Sequence, residues 1–239
     1  MIVWNGEQPK AIRAVLIDID DTLLDFGSSS IDAYHHAVET TGYDLPPDAF
    51  ATFRRINVGL WEAVEKGEMT KAELHAKRWN IIFDALGLNE LDGKKFEEAF
   101  FGQLSKTAFP IDGAKELLAY LASKYKLYGA SNASHDQQWE RLRKAGFDGF
   151  FSDCFVSSEL GANKPTKEFY DRCFERMDPR PLPEETALIG DSISADISGG
   201  NVYGLFTIWY NHNKLPDPAD PALAPRVKVD TLAEILQVL

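Results

Sequence analysis

Short apolar runs recur along much of the chain, and helical patterns separate them. The first run covers residues 14–17 and ends directly before Asp18. Short continuous apolar runs suit strands that are buried on both faces, as in a parallel sheet. Similar runs lie at residues 126–130, 150–156, 186–190 and 205–209, and helical patterns lie at residues 113–124, 135–145, 165–177, 195–203 and 232–239. This alternation predicts an α/β fold, a doubly wound, Rossmann-like layer around a parallel sheet.

The segment from residue 25 to residue 107 has a different pattern, because its apolar positions indicate helices and no strand. Helices are predicted at residues 30–39, with Ser30 as the cap, and at residues 48–66, 70–87 and 93–105. Glu73 stands three residues after Thr70, as in a capping box. In the later helix at residues 165–177, Pro165 is predicted at the first position. We therefore predict an α/β core of residues 1–24 and 108–239, into which an all-helical domain of residues 25–107 is inserted.

Composition narrows the classes of function. The chain has 239 residues, and its 25 basic and 37 acidic side chains give a formal net charge of −12. This charge disfavours binding to a nucleic-acid polymer, whose phosphates attract Lys and Arg. No stretch approaches the roughly 20 apolar residues of a membrane span, and residues 1–10 contain no apolar run typical of a secretion signal. Cys154 and Cys173 lack the spacing of a metal or redox site, so we expect packed or half-exposed thiols in a cytoplasmic protein.

Two acidic clusters directly follow predicted strands. Asp18 and Asp20 come after the first strand, and Asp191 and Asp196 come after the strand at residues 186–190. In an open α/β sheet, ligands bind outside the carboxyl ends of the strands. Mg²⁺ prefers hard oxygen ligands, and carboxylates that converge repel one another unless a cation joins them. The structural alternative is that the first cluster forms a turn and that Asp196 favours the first turn of a helix.

Three further polar residues stand at or near other predicted strand and helix ends. Ser131 and Asn132 end the run at residues 126–130, where a hydroxyl group and free backbone amides at a helix start suit a phosphate. Lys164 stands just before Pro165, at a predicted helix start. Taken singly, an ordinary helix cap and a solvated lysine explain these residues as well.

Together these residues resemble the four signatures of the haloacid dehalogenase superfamily, whose hydrolases form an aspartyl-phosphate. The signatures occur in the expected order as Asp18-x-Asp20-x-Thr22, Ser131, Lys164 and Gly190-Asp191-x4-Asp196. The resemblance covers essentially the whole chain. The helical segment after the first signature resembles the helical cap domain of the superfamily's first subclass.

The resemblance implies a Mg²⁺-dependent phosphatase that acts on a small phosphorylated metabolite. It makes Asp18 the nucleophile and Asp20 the acid and base, with Lys164 as the third catalytic residue. The side chains implied to bind the phosphoryl group are Thr22, Ser131, Asn132 and Lys164. The implied ligands of Mg²⁺ are Asp18, Asp20 through its backbone carbonyl, Asp191 and Asp196.

A finer resemblance concerns the substrate. The motif Asn57-x-x-Leu60-Trp61-Glu62 in the helical segment is similar to bacterial pyrimidine 5′-nucleotidases, and so is Trp209-Tyr210-Asn211 before a Pro-rich loop. This similarity implies a pyrimidine nucleoside monophosphate as substrate. It makes Trp61 a candidate to stack on the base, because a large planar side chain stacks on any base. The alternative is that Trp61 packs inside the helical domain.

Four other functions remain open on the sequence alone. A sugar-phosphate phosphatase and a phosphomutase would share all four signatures. A haloacid dehalogenase would use the same nucleophile, but it has no need of Asp20 because a halide leaves without a proton. A binding protein without activity would be expected to have lost one of the signature carboxylates, and all of them are present.

Overall fold

The computed structural model describes residues 1–6, 8–9 and 11–239. The chain divides into two compact units. The first consists of Met1–Asp25 and Ala108–Leu239, and the second consists of Phe26–Thr107. Among the described residues, no helix combines the length and the apolar character that a bilayer span requires.

The second unit is all-helical, as predicted. Its helices are α1 (Phe26–Thr41), α2 (Ala49–Glu65), α3 (Lys71–Ala85) and α4 (Gly93–Leu104). All of residues 26–107 are described, and none of them lies in a strand. The capping box before α3 is confirmed, since the Thr70 N–H donates to Glu73 Oε2 at 3.0 Å and the Glu73 N–H donates to Thr70 Oγ1 at 3.1 Å. The predicted cap at Ser30 is wrong, because α1 begins at Phe26 and the Ser30 hydroxyl donates within it to the Gly27 carbonyl.

A buried ion pair lies inside the helical unit. Arg78 is 1 % exposed and donates from Nε to Glu97 Oε2 at 3.0 Å and from Nη2 to Glu97 Oε1 at 2.6 Å. Its Nη1 donates to Asn57 Oδ1 at 3.0 Å. The guanidinium also lies over the rings of Phe53 and Phe100, at 5.8 and 5.0 Å from the ring centroids. Arg78 therefore joins α2, α3 and α4.

A seven-stranded sheet forms the centre of the first unit. Its strands are β1 (Val3–Trp4), β2 (Ala14–Ile17), β3 (Lys126–Ser131), β4 (Asp153–Val156), β5 (Thr186–Gly190), β6 (Phe206–Tyr210) and β7 (Val227–Val229). Their order is β1-β7-β6-β5-β2-β3-β4, and all neighbours are parallel except β1 and β7. The predicted α/β fold with a parallel sheet is confirmed. The strand order reverses at β2, which is where an open sheet binds ligands.

Helices cover both faces of this sheet. They are α5 (Ala114–Ala122), α6 (His135–Ala145), α7 (Ser157–Leu160), α8 (Lys167–Arg176), α9 (Ser198–Tyr203) and α10 (Leu232–Ile235), with a π-helical turn at Ile193–Ile197. Side chains of β2 alternate between the faces: Val15 and Ile17 belong to one apolar core, and Leu16 belongs to the other. The strand is therefore buried on both sides, as its continuous apolar run predicts.

Several predicted boundaries were wrong. Pro165 lies before α8, because the Thr166 hydroxyl caps the helix by accepting from the Phe169 N–H at 3.3 Å. The segment at residues 195–203 is divided between the π-helical turn and α9, and the last helix ends at Ile235. Strands β1 and β7 were not predicted, since they span only two and three residues. Cys154 and Cys173 are buried free thiols, as expected.

Candidate active site

The carboxyl ends of β2, β3 and β5 lie side by side in the sheet. Ile17, the last residue of β2, is level with Gly129 of β3 and with Ile189 of β5. The residue after Ile17 is still fixed to the sheet, because the Asp18 N–H donates to the Ile189 carbonyl at 2.9 Å. The polar residues that follow these three strands therefore emerge at one edge.

Lys164 is a buried cation at this edge. Its side chain is 2 % exposed, and its Nζ lies 2.6 Å from Asp18 Oδ1, 2.6 Å from Asp196 Oδ1 and 2.7 Å from the Ala130 carbonyl oxygen. An ammonium group has three N–H donors, so these three contacts satisfy it completely. Residues from two signatures of the sequence, Asp18 and Asp196, thus share one lysine.

Burial and charge shift the protonation equilibria of this pair. Burial raises the pKa of Asp18 to about 7, an effect that Lys164 opposes and that Asp196 reinforces. Burial by itself lowers the pKa of Lys164, but the neighbouring carboxylates Asp18 and Asp196 outweigh it and hold that pKa above its ordinary value. Lys164 is therefore charged at neutral pH, and a positive charge lies next to Asp18.

Three carboxylates at this edge form a group that fits a divalent cation. Asp18, Asp191 and Asp196 each place an oxygen within 4.8 Å of the others. Burial raises the pKa of Asp191 well above its usual range, and Asp18 and Asp196 add to the rise. Three acidic groups face one ammonium, so ionisation of all three leaves negative charge that Lys164 alone does not offset. A hard cation with oxygen ligands suits this donor set.

Gly190 gives Asp196 the space to enter this group. A Cβ atom at Gly190 would lie 2.2 Å from Asp196 Oδ2, far inside van der Waals contact. The Ser192 N–H donates to the same Oδ2 at 3.2 Å, and the Ser192 hydroxyl accepts from the Ala195 N–H at 3.1 Å. The loop after β5 therefore both caps the π-helical turn and orients Asp196.

The Asp20 side chain is held by α6. Gln138 Nε2 donates to Asp20 Oδ2 at 2.6 Å, and Arg141 Nη1 donates to Asp20 Oδ1. Gln138 and Arg141 are 0 % exposed, whereas the Asp20 side chain is 30 % exposed. Neither α6 residue is predicted from the sequence, where residues 135–145 show only a helical pattern. The sequence does contain one indication of their role: Gln138 and Arg141 are three positions apart, which puts two long polar side chains on one face of the helix.

The remaining predicted residues of the first unit lie around this centre. The Ser131 hydroxyl accepts from the Ala133 N–H at 3.1 Å and from Gln138 Nε2 at 2.8 Å. Asn132 is bonded to the backbone of Lys164: its Nδ2 donates to the carbonyl at 3.0 Å, and its Oδ1 accepts from the N–H at 2.8 Å. The buried Thr22 hydroxyl donates to Asp191 Oδ1 over a long 3.4 Å.

Trp61 belongs to the helical unit, where it lies in α2 and is half-buried. Phe53, on the same helix, is fully buried and stacks on Trp79 with 5.1 Å between ring centroids. The aromatic core of the helical unit thus includes Phe53.

Comparisons with known proteins agree with the signatures. A family model described as haloacid dehalogenase-like hydrolase matches residues 12–204. The chain is 36 % identical over 230 residues to the HAD-hydrolase YfnB of Bacillus subtilis, covering 96 % of each chain. A crystal structure of YfnB bound to magnesium matches with a TM-score of 0.89, over 96 % of this chain and 99 % of that chain.

Two further relatives are pyrimidine 5′-nucleotidases. PynA of Streptococcus pneumoniae is 32 % identical over 204 residues, covering 85 % of each chain. YjjG of Escherichia coli is 26 % identical over 225 residues, covering 94 % of this chain and 96 % of that one. These matches confirm the resemblance found in the sequence. The chain belongs to the family of haloacid dehalogenase-like hydrolases.

Proposed function

We propose that this hydrolase is a Mg²⁺-dependent phosphatase that cleaves a small phosphomonoester through an aspartyl-phosphate on Asp18. The observation that carries the proposal is the contact between Asp18 and the buried Lys164 ammonium, at 2.6 Å, inside a group of three carboxylates that fits a divalent cation. A phosphate dianion approaching a carboxylate meets strong repulsion, and positive charge around the carboxylate reduces it.

The proposed reaction has two displacements. A carboxylate oxygen of Asp18 attacks phosphorus, the ester P–O bond breaks, and Asp20 gives a proton to the departing oxygen. Asp20 then takes a proton from water, the water oxygen attacks phosphorus, and the phosphoryl–Asp18 bond breaks to release phosphate. A group that has given up its proton is in the base form, so one carboxyl serves both steps.

The surrounding residues stabilise charge during both displacements. Lys164 keeps a positive charge beside Asp18, and the Ser131 hydroxyl is a donor for a phosphoryl oxygen. Thr22 and Asn132 support the loop positions through their bonds to Asp191 and Lys164. Mg²⁺, held by Asp18, Asp191 and Asp196 and by the Asp20 carbonyl, would offset the charge of the phosphate when bound.

Asp20 favours a phosphatase over a haloacid dehalogenase. A halide leaves carbon without a proton, whereas an alkoxide leaving phosphorus needs one. In the structure, two buried side chains of α6 hold Asp20 in place. A proton donor that is held by hydrogen bonds from two buried side chains is consistent with a leaving group that needs protonation.

Pyrimidine nucleoside monophosphates are the proposed substrates. The relatives PynA and YjjG are pyrimidine 5′-nucleotidases, and both match over most of this chain. The motif Asn57-x-x-Leu60-Trp61-Glu62 lies in the helical unit, and we propose its Trp61 as a substrate-binding residue. All the residues proposed to handle phosphate belong to the other unit, so we assign selectivity to the helical unit.

A panel assay tests this proposal. Phosphate release is measured with Mg²⁺ for UMP, CMP, AMP, ribose 5-phosphate and glucose 6-phosphate, and is repeated with EDTA. We expect the highest kcat/KM with UMP or CMP and a loss of activity with EDTA. A preference for sugar phosphates would reject the nucleotidase assignment, and full activity in EDTA would reject the Mg²⁺ assignment.

Trp61→Ala refines the same assay. Loss of stacking on a base is worth about 1–3 kcal/mol, so we expect kcat/KM for the nucleotide to fall by a factor of about 5 to 150. Acetyl phosphate has no base, and its hydrolysis is expected to be unchanged. Parallel losses for both substrates, with a lower melting temperature, would instead indicate that Trp61 is a packing residue.

A further inference from the structure

Two long polar side chains of α6, Gln138 and Arg141, are completely buried beside the proposed site. Glutamine and arginine are mostly exposed in proteins, so complete burial requires partners. The two residues are three positions apart and face the same side of the helix. The groups they contact belong to two different signatures, Asp20 and Ser131.

Hydrogen bonds fix the orientation of the Gln138 amide. Its Oε1 accepts from Arg141 Nη1 at 3.1 Å, so its amino group faces the opposite direction. There Nε2 donates to Asp20 Oδ2 at 2.6 Å and to Ser131 Oγ at 2.8 Å. An amide has two N–H donors, and both are used. Arg141 thus sets the direction of Gln138, and Gln138 links the acid to the serine.

The Asp20 carboxylate receives one donor on each oxygen. Arg141 Nη1 donates to Oδ1 and Gln138 Nε2 donates to Oδ2. Contacts to both oxygens fix the plane of the carboxylate. A carboxylate oxygen has two lone-pair directions, so each oxygen keeps one that is able to exchange a proton.

The Ser131 hydroxyl is oriented by the same residue. It accepts from the Ala133 N–H at 3.1 Å and from Gln138 Nε2 at 2.8 Å, which fills both of its lone-pair directions. Its O–H is left as a donor. A donor with a fixed direction is what a phosphoryl oxygen requires.

We propose that Gln138 and Arg141 are positioning residues that hold the Asp20 carboxylate for proton transfer and the Ser131 hydroxyl for phosphate binding. The inference rests on the proposed function, because Asp20 transfers a proton to the leaving group only in that reaction. Gln138 and Arg141 act through Asp20 and Ser131: they orient the groups that exchange the proton and bind the phosphate, and they do not transfer the proton themselves.

The dependence of the rate on the leaving group tests this proposal. Arg141→Met and Gln138→Leu are assayed with p-nitrophenyl phosphate, whose phenolate leaves as a stable anion, and with UMP, whose alkoxide needs a proton. Ribose 5-phosphate replaces UMP if the panel assay shows it to be the better substrate. General acid catalysis contributes about 10²- to 10⁴-fold. We therefore expect kcat/KM for the alkyl ester to fall at least about tenfold more than kcat/KM for p-nitrophenyl phosphate.

A separate measurement tests the role of Gln138 in orienting the Ser131 hydroxyl. Gln138→Leu removes one bond to the Ser131 hydroxyl, and inorganic phosphate is the probe. We expect its inhibition constant to rise roughly two- to tenfold, the range of one net hydrogen bond. An unchanged inhibition constant would contradict the role assigned to Gln138 at Ser131.

Two variants of α6 serve as matched controls. Arg143→Met removes a guanidinium whose side chain is 61 % exposed, and Leu142→Ala removes apolar contacts from a fully buried position. Both are expected to leave the ratio between the two esters unchanged, although Leu142→Ala lowers the melting temperature.

Equal losses for both esters in Arg141→Met and Gln138→Leu would overturn the inference, as would the same change of ratio in Leu142→Ala. Gln138→Leu retains the Arg141–Asp20 ion pair, so it carries the test if Arg141→Met does not fold. A wild-type protein that hydrolyses neither ester with Mg²⁺ would reject the proposed function itself, which is a different result.

Discussion

Lys164 Nζ lies 2.6 Å from Asp18 Oδ1, although the two residues are 146 positions apart in the sequence. The contact joins a residue before α8 to the end of β2, and both side chains are buried. It places a positive charge beside the proposed nucleophile, where a phosphate must approach.

Replacing Lys164 is expected to abolish most activity. Lys164→Met removes the ammonium from Asp18 and Asp196, and loss of one charged stabiliser in a buried site costs about 10²- to 10³-fold in kcat. The measurement is kcat for p-nitrophenyl phosphate with saturating Mg²⁺. Lys167→Met is the control, because Lys167 is exposed and pairs with Asp171. A folded Lys164→Met enzyme with wild-type kcat would contradict the role of Lys164.

Gly190→Ala is expected to displace Asp196. The added Cβ would lie 2.2 Å from Asp196 Oδ2, so the carboxylate or the loop must move. Overpacking of this kind costs about 1–3 kcal/mol of stability. We expect a lower melting temperature and a smaller stabilisation by Mg²⁺. Gly149→Ala, where a Cβ meets nothing within 4 Å, is the control. An unchanged response to Mg²⁺ in Gly190→Ala would show that Asp196 does not support the cation.

The stability of the protein is expected to depend on pH and Mg²⁺ together. Burial raises the pKa of Asp18 from 3.8 to about 7, so the folded chain binds more protons than the unfolded chain in that window. Stability without a metal therefore falls as pH rises through the window. Protons compete with a metal for carboxylates, so Mg²⁺ is expected to raise the melting temperature more at about pH 8 than at about pH 6.

Asp191→Asn is the matched variant for this measurement. It removes one negative charge from the proposed cation site, so more Mg²⁺ is needed for half-maximal activity and stabilisation. Superimposable Mg²⁺ titrations of variant and wild type would exclude Asp191 as a ligand. A larger Mg²⁺ effect at the lower pH would contradict the competition between protons and metal.

The helical unit offers a test of its own. Glu97→Gln leaves the buried Arg78 guanidinium without a charged partner, which costs about 3–5 kcal/mol for a pair of this kind. The double variant Arg78→Met/Glu97→Met removes both charges, and we expect it to be more stable than Glu97→Gln in urea denaturation. Glu98→Gln on the same helix is the control, since the Glu98 side chain is 69 % exposed. A Glu97→Gln protein as stable as the control would show that the Arg78–Glu97 ion pair does not stabilise the folded protein.

Much of this architecture follows from local sequence patterns. The strand at residues 14–17 is apolar throughout because both of its faces are buried, and Thr70 with Glu73 specifies the start of α3. β7 was missed because three residues give no periodicity, and its pairing with β6 is a long-range contact. Ser30 was assigned as a cap because its hydroxyl suits one, but α1 extends to Phe26.

In the candidate site, too, some residues are predictable from the sequence and others are not. Asp18, Lys164 and Asp196 were identified because they stand in signatures, and the fold brings them within hydrogen-bond distance. Gln138 and Arg141 stand in no signature, and a helix with many polar residues hides the two that turn inward. Their importance depends on which face of α6 is buried, and only the packed structure shows that face.

The most direct test of the central claim is to detect the phosphoryl group on Asp18. Protein mixed with substrate and Mg²⁺ is quenched in acid during turnover, and its intact mass and peptides are measured. With p-nitrophenyl phosphate, whose leaving group needs no proton in the first step, we predict the added mass of one phosphoryl group on the peptide that contains Asp18. Its yield should be greater in Asp20→Asn, because that variant lacks only the base for the second step with this ester, and it should be absent in Asp18→Asn. A folded Asp18→Asn protein that still hydrolyses the ester, or a phosphoryl group on another residue, would contradict the account.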